Sequence, residues 1–236
     1  MEEGTPIRIT RMQDKNIVFL FDVDNTLLNN DRVTADLKRY LEEEVGHERQ
    51  QHYWDFFEQL RLELGYADYL GALQRYRLEY PRDPGLLRVS HFLVNYPFAT
   101  RLYPDSLDAV ELAKQWGQAV ILSDGDVVFQ PLKIERSGIL EAVDDKVLIY
   151  VHKEQELDDV EHRYPANHYV LIDDKVRILS AVKEIWGSRV TTVFPRQGHY
   201  AMDAKLVASF PAPDITIERI GDFLNLKLES FLAATH

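Results

Sequence analysis

Five short apolar runs along the chain are typical of buried strands. They are rich in Val, Ile, Leu and Phe, and none alternates cleanly with polar residues: residues 17–21, 119–122, 147–151, 169–172 and 190–194. Continuous apolar runs of this length suit strands that are covered on both faces, as in a parallel sheet.

Helical patterns fill the gaps between the later runs, and each of them ends at a glycine. They cover residues 107–117, 130–138 and 176–187. In the last one Ile178 and Val182 fall on one stripe, and glycine is a common residue at the end of a helix. The alternation of strand, helix and glycine predicts an α/β domain with a doubly wound parallel sheet.

Residues 31–100 interrupt this pattern directly after the first run. The segment is dense in aromatic and long side chains, and it predicts three or four amphipathic helices with breaks at Gly65 and residues 81–85. We therefore predict an α/β core formed by residues 1–30 and 101–236, with residues 31–100 as an inserted α-helical cap. Its position favours a cover over the functional site; a helical subdomain that only adds stability is the alternative.

The first four apolar runs all end in side chains that can carry chemistry. The first is followed by Asp22 and Asp24, the second by Ser123 and Asp124, the third by Lys153, and the fourth by Asp173 and Asp174. Ligands of an open parallel sheet bind outside the carboxyl ends of its strands, so we expect these groups to meet. Each alone has a plainer explanation as a turn, a surface charge or a helix cap. A calcium loop is excluded for the first pair, because Thr26 and Leu27 stand where it needs Asp or Asn and then Gly.

This order of motifs resembles the haloacid dehalogenase-like (HAD) hydrolase superfamily, in its phosphatase type with a helical cap after the first motif. The DxDx[TV] motif matches residues 22–26, the second-motif Ser matches Ser123, the third-motif Lys matches Lys153, and the fourth-motif acidic pair matches Asp173 and Asp174. Residues 131–133, 138–140 and 196–200 also look like framework segments of the family.

The resemblance implies hydrolysis through an aspartyl-phosphate. Asp22 would be the nucleophile, and Asp24 would protonate the leaving oxygen and then take a proton from water. The resemblance further implies a Mg²⁺ ion held by the Asp22 side chain, the Asp24 backbone carbonyl and a fourth-motif acid. We assign that acid to Asp173, with Asp174 next in line.

Three residues are assigned to phosphate binding. Ser123 can donate a hydrogen bond to a phosphoryl oxygen, and Lys153 can neutralise its charge. Asp124 follows Ser123 directly and is assigned to the same site, although Asp124 or Asp126 is more simply explained as a cap of the following segment.

Three other lysines are rivals of Lys153 for the third motif. Lys133 lies in a predicted helix, Lys146 precedes its strand, and Lys175 follows the acidic pair, where we expect it to face solvent. Lys153 is preferred because it alone directly follows the end of an apolar run.

The composition limits the class of protein, its location and its partners. The 236 residues are 45% hydrophobic and 28% charged, as in an ordinary globular protein, and the absence of cysteine excludes disulfides and thiolate chemistry. The chain starts without an apolar signal core and has no stretch long enough to span a bilayer, so we expect no membrane partner and a cytoplasmic location. The net charge of −12 argues against nucleic acid as a partner. It does not argue against a small anionic substrate, because surface charge is screened over about 8–10 Å.

We predict Mg²⁺-dependent hydrolysis of a small phosphorylated metabolite. Asp24 decides against the dehalogenase branch, which lacks an acid at that position and needs neither a protonated leaving group nor a metal. A catalytically weak regulatory or binding module of the same fold is the main alternative, and a 2-haloacid dehalogenase has less support. One departure from many relatives is that the helix after Asp173 and Asp174 lacks the additional acid that they place a few residues further on.

Overall fold

A six-stranded parallel sheet forms the centre of the computed structural model, which describes residues 16–233. The strands are β1 (Ile17–Phe21), β2 (Gln118–Asp124), β3 (Val147–Tyr150), β4 (His168–Ile172), β5 (Val190–Pro195) and β6 (Ile215–Ile217). Their order is β3-β2-β1-β4-β5-β6, and all neighbours run parallel. The predicted doubly wound α/β fold is confirmed. The sequence patterns miss only β6, whose three residues are too few to show a periodicity.

Twelve α-helices are present in the described part of the chain. They are α1 (Asn30–Val45), α2 (His47–Leu64), α3 (Tyr69–Glu79), α4 (Leu86–Val94), α5 (Ser106–Trp116), α6 (Phe129–Arg136), α7 (Ile139–Ala142), α8 (Leu157–Arg163), α9 (Val176–Trp186), α10 (Gly198–Met202), α11 (Ala204–Ala208) and α12 (Leu228–Ala233). Short 3₁₀ helices occupy Phe98–Arg101, Lys153–Gln155, Gly187–Arg189 and Ile220–Asn225. None of the helices between residues 16 and 233 combines the length and the apolar character needed to cross a membrane.

Strand β1 is buried on both faces, as its continuous apolar run predicts. Phe19 and Phe21 belong to a core cluster with residues of α5, α6 and α12, whereas Val18 and Leu20 pack with residues of α8 and α9. All five residues of β1 are buried. Because the strand is held on both faces, the position of Asp22, which follows it directly, is well defined.

Helices α1 to α4 lie between β1 and α5 in the chain. They pack onto the core partly through aromatic rings: the centroid of Tyr69 lies 4.8 Å from that of Phe57 and 5.3 Å from that of Phe129 on α6. The helix α2 ends at Gly65, one of the predicted breaks. Four helices agree with the predicted number, but the division of the chain into a core and a cap stays a prediction.

Candidate active site

The carboxyl ends of three adjacent strands bring the predicted site residues to one edge of the sheet. Asp22 follows β1, Ser123 lies near the end of β2, and Asp173 follows β4. All three side chains are buried. The backbone N–H of Asp22 donates to the carbonyl of Ile172 at 2.9 Å, which ties the end of β1 to the end of β4. The strand order thus places the first, second and fourth motifs side by side.

Lys153 joins these strand ends from the loop after β3. Its ammonium is fully buried and donates to Asp22 Oδ1 at 2.5 Å and to the carbonyl of Leu122 at 3.2 Å. It also pairs with Asp173 Oδ2 at 2.6 Å. Burial lowers the pKa of Lys153, but the carboxylates of Asp173 and Asp22 outweigh it and hold the pKa well above its usual value. Lys153 is therefore charged at neutral pH.

Asp22, Asp173 and Asp174 form a buried cluster that can hold a metal ion. One carboxylate oxygen of each lies within 4.8 Å of the others. Burial raises the pKa of Asp173 to about 6, although Lys153 opposes the shift. Burial and the neighbouring Asp173 raise the pKa of Asp174 well above its usual value. In both cases burial disfavours the charged form of the carboxyl group, and a neighbouring carboxylate adds to the rise in its pKa.

The unpartnered oxygens of this cluster fit a divalent cation. Among residues 16–233, Asp22 Oδ2 and both carboxylate oxygens of Asp174 are buried without a hydrogen-bond partner. Buried polar atoms are rarely left in this state, and oxygen ligands are those that Mg²⁺ prefers. The cluster thus has the ligand type and the negative charge that a divalent metal requires.

Asp24 lies apart from this cluster, next to a lysine from α6. Its side chain is 25% exposed, and its Oδ1 accepts a hydrogen bond of 2.6 Å from Lys133 Nζ. Lys133 is only 1% exposed. In the sequence, Lys133 ranks below Lys153 for the third motif because it lies in a predicted helix. A signal was available, since Phe129, Lys133 and their helical neighbours share the inward face of α6.

Ser123 and Asp124 are held by the elements around them. Ser123 Oγ accepts from Gln130 Nε2 at 2.9 Å, and Asp124 Oδ1 accepts from the backbone N–H of Lys153 at 2.8 Å. Asp126 Oδ1 accepts from the N–H groups of residues 128 and 129, so Asp126 is the residue that caps the following segment. The assignment of Ser123, Asp124 and Lys153 to phosphate binding stays a prediction.

The turn after Asp24 is braced by a second loop. Asn25 has a left-handed backbone with φ of 63°. Gln197 Nε2 donates to the carbonyls of Asn25 and Thr26 at 3.1 and 2.7 Å. Gly198 follows with φ of 78°, and a Cβ there would lie 2.5 Å from Asn25 Cβ. The close approach of the two loops explains why a glycine stands at this position.

A cavity of about 610 Å³ opens between this edge and the helices α1 to α3. Asp24, Lys133 and Lys175 line its floor, and Arg61 and Tyr200 are among the residues around it. Lys175 was expected to face solvent. It lines the cavity instead, with its Nζ 5.5 Å from the centroid of the Tyr200 ring.

Comparison with known proteins identifies the family. A model of the haloacid dehalogenase-like hydrolases matches residues 18–185, which is well over half of the chain. The chain belongs to this family. A crystal structure of a HAD-like hydrolase from Burkholderia xenovorans LB400 is 60% identical and covers 90% of this chain and 99% of its own, with a TM-score of 0.86. A search of curated proteins found no match.

More distant HAD structures share the fold. A HAD-like family hydrolase from Xanthomonas campestris is 17% identical over 95% of each chain, with a TM-score of 0.64. An L-2-haloacid dehalogenase from Xanthobacter autotrophicus is 16% identical over 89% of this chain and 97% of its own, with a TM-score of 0.58. At such identities the similarity concerns the fold and leaves the reaction of this HAD protein open.

Proposed function

We propose that this HAD protein is a Mg²⁺-dependent phosphatase that hydrolyses a small phosphomonoester. The observation that carries the proposal is Asp24, a partly exposed carboxylate that lines the cavity two residues after the buried Asp22. Displacement of a halide from carbon has no use for a proton donor, whereas an alkoxide leaving group needs one. The buried acid cluster with its unpartnered oxygens supports the same reading, because halide displacement needs no metal.

In the proposed first step, a carboxylate oxygen of Asp22 attacks the phosphorus atom. The bond between phosphorus and the ester oxygen breaks, and Asp24 gives that oxygen its proton. In the second step, Asp24 takes a proton from water as the water oxygen attacks phosphorus. The bond to Asp22 breaks, inorganic phosphate leaves, and both carboxyl groups return to their first state.

Charge on the transferring group is handled by the neighbouring side chains. Lys153 lies against Asp22 and can neutralise a phosphoryl oxygen, while Ser123 can donate a hydrogen bond to another. Mg²⁺ would be held by Asp22, the Asp24 carbonyl, Asp173 and Asp174, and would supply further charge stabilisation to the phosphoryl oxygens. The cavity volume of about 610 Å³ is within the usual range for small-ligand sites. We therefore propose a small phosphorylated metabolite as the substrate and residues 31–100 as the cap over it.

The test is hydrolysis of 4-nitrophenyl phosphate by the purified protein. We expect turnover with Mg²⁺, loss of activity in EDTA, and recovery when Mg²⁺ is added in excess. Asp22→Asn should fall to the background rate, because an amide cannot act as the nucleophile. Asp108→Asn, on the exposed side of α5, is the matched control and should keep full activity.

Halide release from 2-chloropropionate is measured in parallel. Release of chloride without phosphatase activity would favour a dehalogenase. Inactivity towards both substrates and a panel of phosphorylated metabolites would favour a binding module. Phosphatase activity that survives in Asp22→Asn would contradict the assignment of the nucleophile.

A further inference from the structure

Lys133 is a buried ammonium whose hydrogen bonds go to two residues near the catalytic turn. Its Nζ donates to Asp24 Oδ1 at 2.6 Å and to Asn30 Oδ1 at 3.0 Å. Asn30 is the first residue of α1, and its amide nitrogen lies 3.3 Å from the hydroxyl of Tyr69 on α3. Lys133 therefore links helix α6 of the core, the first motif, and the helical segment above it.

A purely structural role explains this burial poorly. Removing an ammonium from water costs free energy, and an apolar side chain of similar volume would fill the same space without that cost. The neighbours Phe129 and Ile134 on the same face of α6 show that apolar residues are accommodated there. The cost of burying Lys133 is offset by its pairing with a carboxylate that the proposed reaction uses.

The pairing leaves the two oxygens of Asp24 in different situations. Oδ1 is bound by Lys133, whereas Oδ2 accepts no hydrogen bond from any residue between 16 and 233. Asp24 lines the cavity, and its side chain is 25% exposed. An anchored Oδ1 fixes the rotation of the carboxyl group and leaves Oδ2 free to exchange a proton with the substrate.

We propose that Lys133 is a positioning residue that holds Asp24 in the orientation for proton transfer to the leaving oxygen, with Asn30 holding the ammonium in turn. The inference rests on the proposed phosphatase function. It concerns the orientation of Asp24 and is separate from the role of Lys153 beside Asp22. If Lys133 has this role, the loss of kcat on its substitution should depend on the leaving group, because only a poor leaving group needs the proton from Asp24.

The experiment compares 4-nitrophenyl phosphate with ethyl phosphate in wild type, Asp24→Asn, Lys133→Met and the double variant. The 4-nitrophenolate ion leaves readily without a proton, but ethoxide does not. We expect Lys133→Met to lower kcat for ethyl phosphate about 100-fold and for 4-nitrophenyl phosphate less than about 10-fold. Asp24→Asn should show the same preference, and the double variant should be no worse than Asp24→Asn alone, since both changes remove one function.

Further variants guard against a trivial loss of structure. Lys133→Arg keeps a donor and should recover part of the ethyl phosphate activity. Asn30→Ala leaves the lysine in place and should show a smaller loss that is again larger for ethyl phosphate than for 4-nitrophenyl phosphate. This variant tests the inference if Lys133→Met fails to fold. Lys146→Met, at a partly exposed lysine that pairs with Asp144, is the matched control and should leave the ratio of the two rates unchanged.

Two results would overturn the inference. The first is an equal loss on both substrates with Lys133→Met, or a loss that appears in KM alone, because Lys133 would then bind the phosphoryl group or support the fold. The second is full additivity of the two substitutions in the double variant. A wild type that is inactive on both esters and on the panel of phosphorylated metabolites would overturn the phosphatase proposal together with this inference, which distinguishes the two failures.

Discussion

At the scale of the residue, the acid cluster is the most unusual feature of the site. Lys153 neutralises part of the charge of Asp22 and Asp173, but Asp174 has no cationic partner within hydrogen-bond distance among residues 16–233. Its pKa and that of Asp173 are raised because burial disfavours their charged forms. A bound cation would supply the missing positive charge.

The raised pKa values predict a pH-dependent gain of stability from Mg²⁺. An Asp whose folded pKa is raised stabilises the metal-free fold below its unfolded pKa, near 4, and this contribution is lost as the pH rises through the folded value, which is about 6 for Asp173. Protons also compete with the metal below that value. We therefore expect Mg²⁺ at about 100 times its Kd to raise the Tm by about 5 °C at pH 7.5 and by much less at pH 5, measured by calorimetry.

Asp174→Asn provides the comparison for this measurement. It removes one buried charge, so the metal-free variant should be at least as stable as wild type at pH 7.5. Its response to Mg²⁺ should be smaller. A Tm shift of equal size at both pH values in wild type would argue against metal binding by this cluster.

At the scale of the element, α1 is fastened to residues 96–101, which precede α5 in the chain. Asp36 on α1 is 5% exposed and accepts hydrogen bonds from the Tyr96 hydroxyl at 2.6 Å and from Arg101 Nη2 at 2.7 Å. Burial raises the pKa of Asp36, but the hydrogen bonds from Tyr96 and Arg101 outweigh it, so the net pKa is below the usual value. The charged form of Asp36 is therefore the one that the fold stabilises.

We predict that Asp36→Asn destabilises the protein by about 2 kcal/mol at pH 7, measured by urea unfolding. Because the folded pKa is lowered, the contribution is present above about pH 4 and is lost as the pH falls below it, so the difference from wild type should shrink at about pH 3. Glu161→Gln breaks a more exposed pair with Arg189 and should cost less than about 1 kcal/mol. Equal effects of the two substitutions would contradict the prediction.

The elements show which parts of the fold the sequence can predict. The run at residues 17–21 matches β1 to the residue, because a strand buried on both faces is apolar throughout. The sequence does not predict strand β6, because the three residues Ile215–Ile217 form a strand only through their pairing with β5. The sequence also predicts the end of helix α2 correctly. Gly65 ends it with a left-handed backbone conformation, which few residues other than glycine adopt readily.

At the scale of the whole molecule, the motifs predict the site residues that lie at the strand ends. The other site residues are brought to the cavity by the packing of separate elements. Asp22, Lys153 and Asp173 meet because parallel strands end at the same edge. Lys133 reaches the cavity from the inward face of α6, and Tyr200 reaches it from α10. Both lie in segments that resemble the family framework, but a framework match does not say which side chains reach the cavity. Their positions depend on how separate elements pack, which periodicity does not encode.

The end of α2 and the segment after β3 also meet, at Gly65 and His152. Gly65 has φ of 82°, and a Cβ on it would lie 2.3 Å from His152 Cε1. His152 directly precedes Lys153, whose ammonium contacts Asp22. A side chain at position 65 would therefore press on the segment that positions Lys153. Gly65 and His152 are 87 residues apart in the chain.

We predict that Gly65→Ala impairs both stability and catalysis, whereas Gly46→Ala impairs stability alone. Gly46 has nearly the same φ, 84°, but no atom within 4 Å of its would-be Cβ. The left-handed backbone should cost Gly65→Ala about 1 kcal/mol, measured by urea unfolding. Gly46→Ala should cost more, because ψ of 166° places Gly46 in a region that is essentially restricted to glycine. Only Gly65→Ala adds a clash, which must move the ring of His152 or helix α2, so its kcat/KM for 4-nitrophenyl phosphate should fall by about 10-fold or more. Equal activity of the two variants would show that the helical segment can shift at this contact without disturbing Lys153.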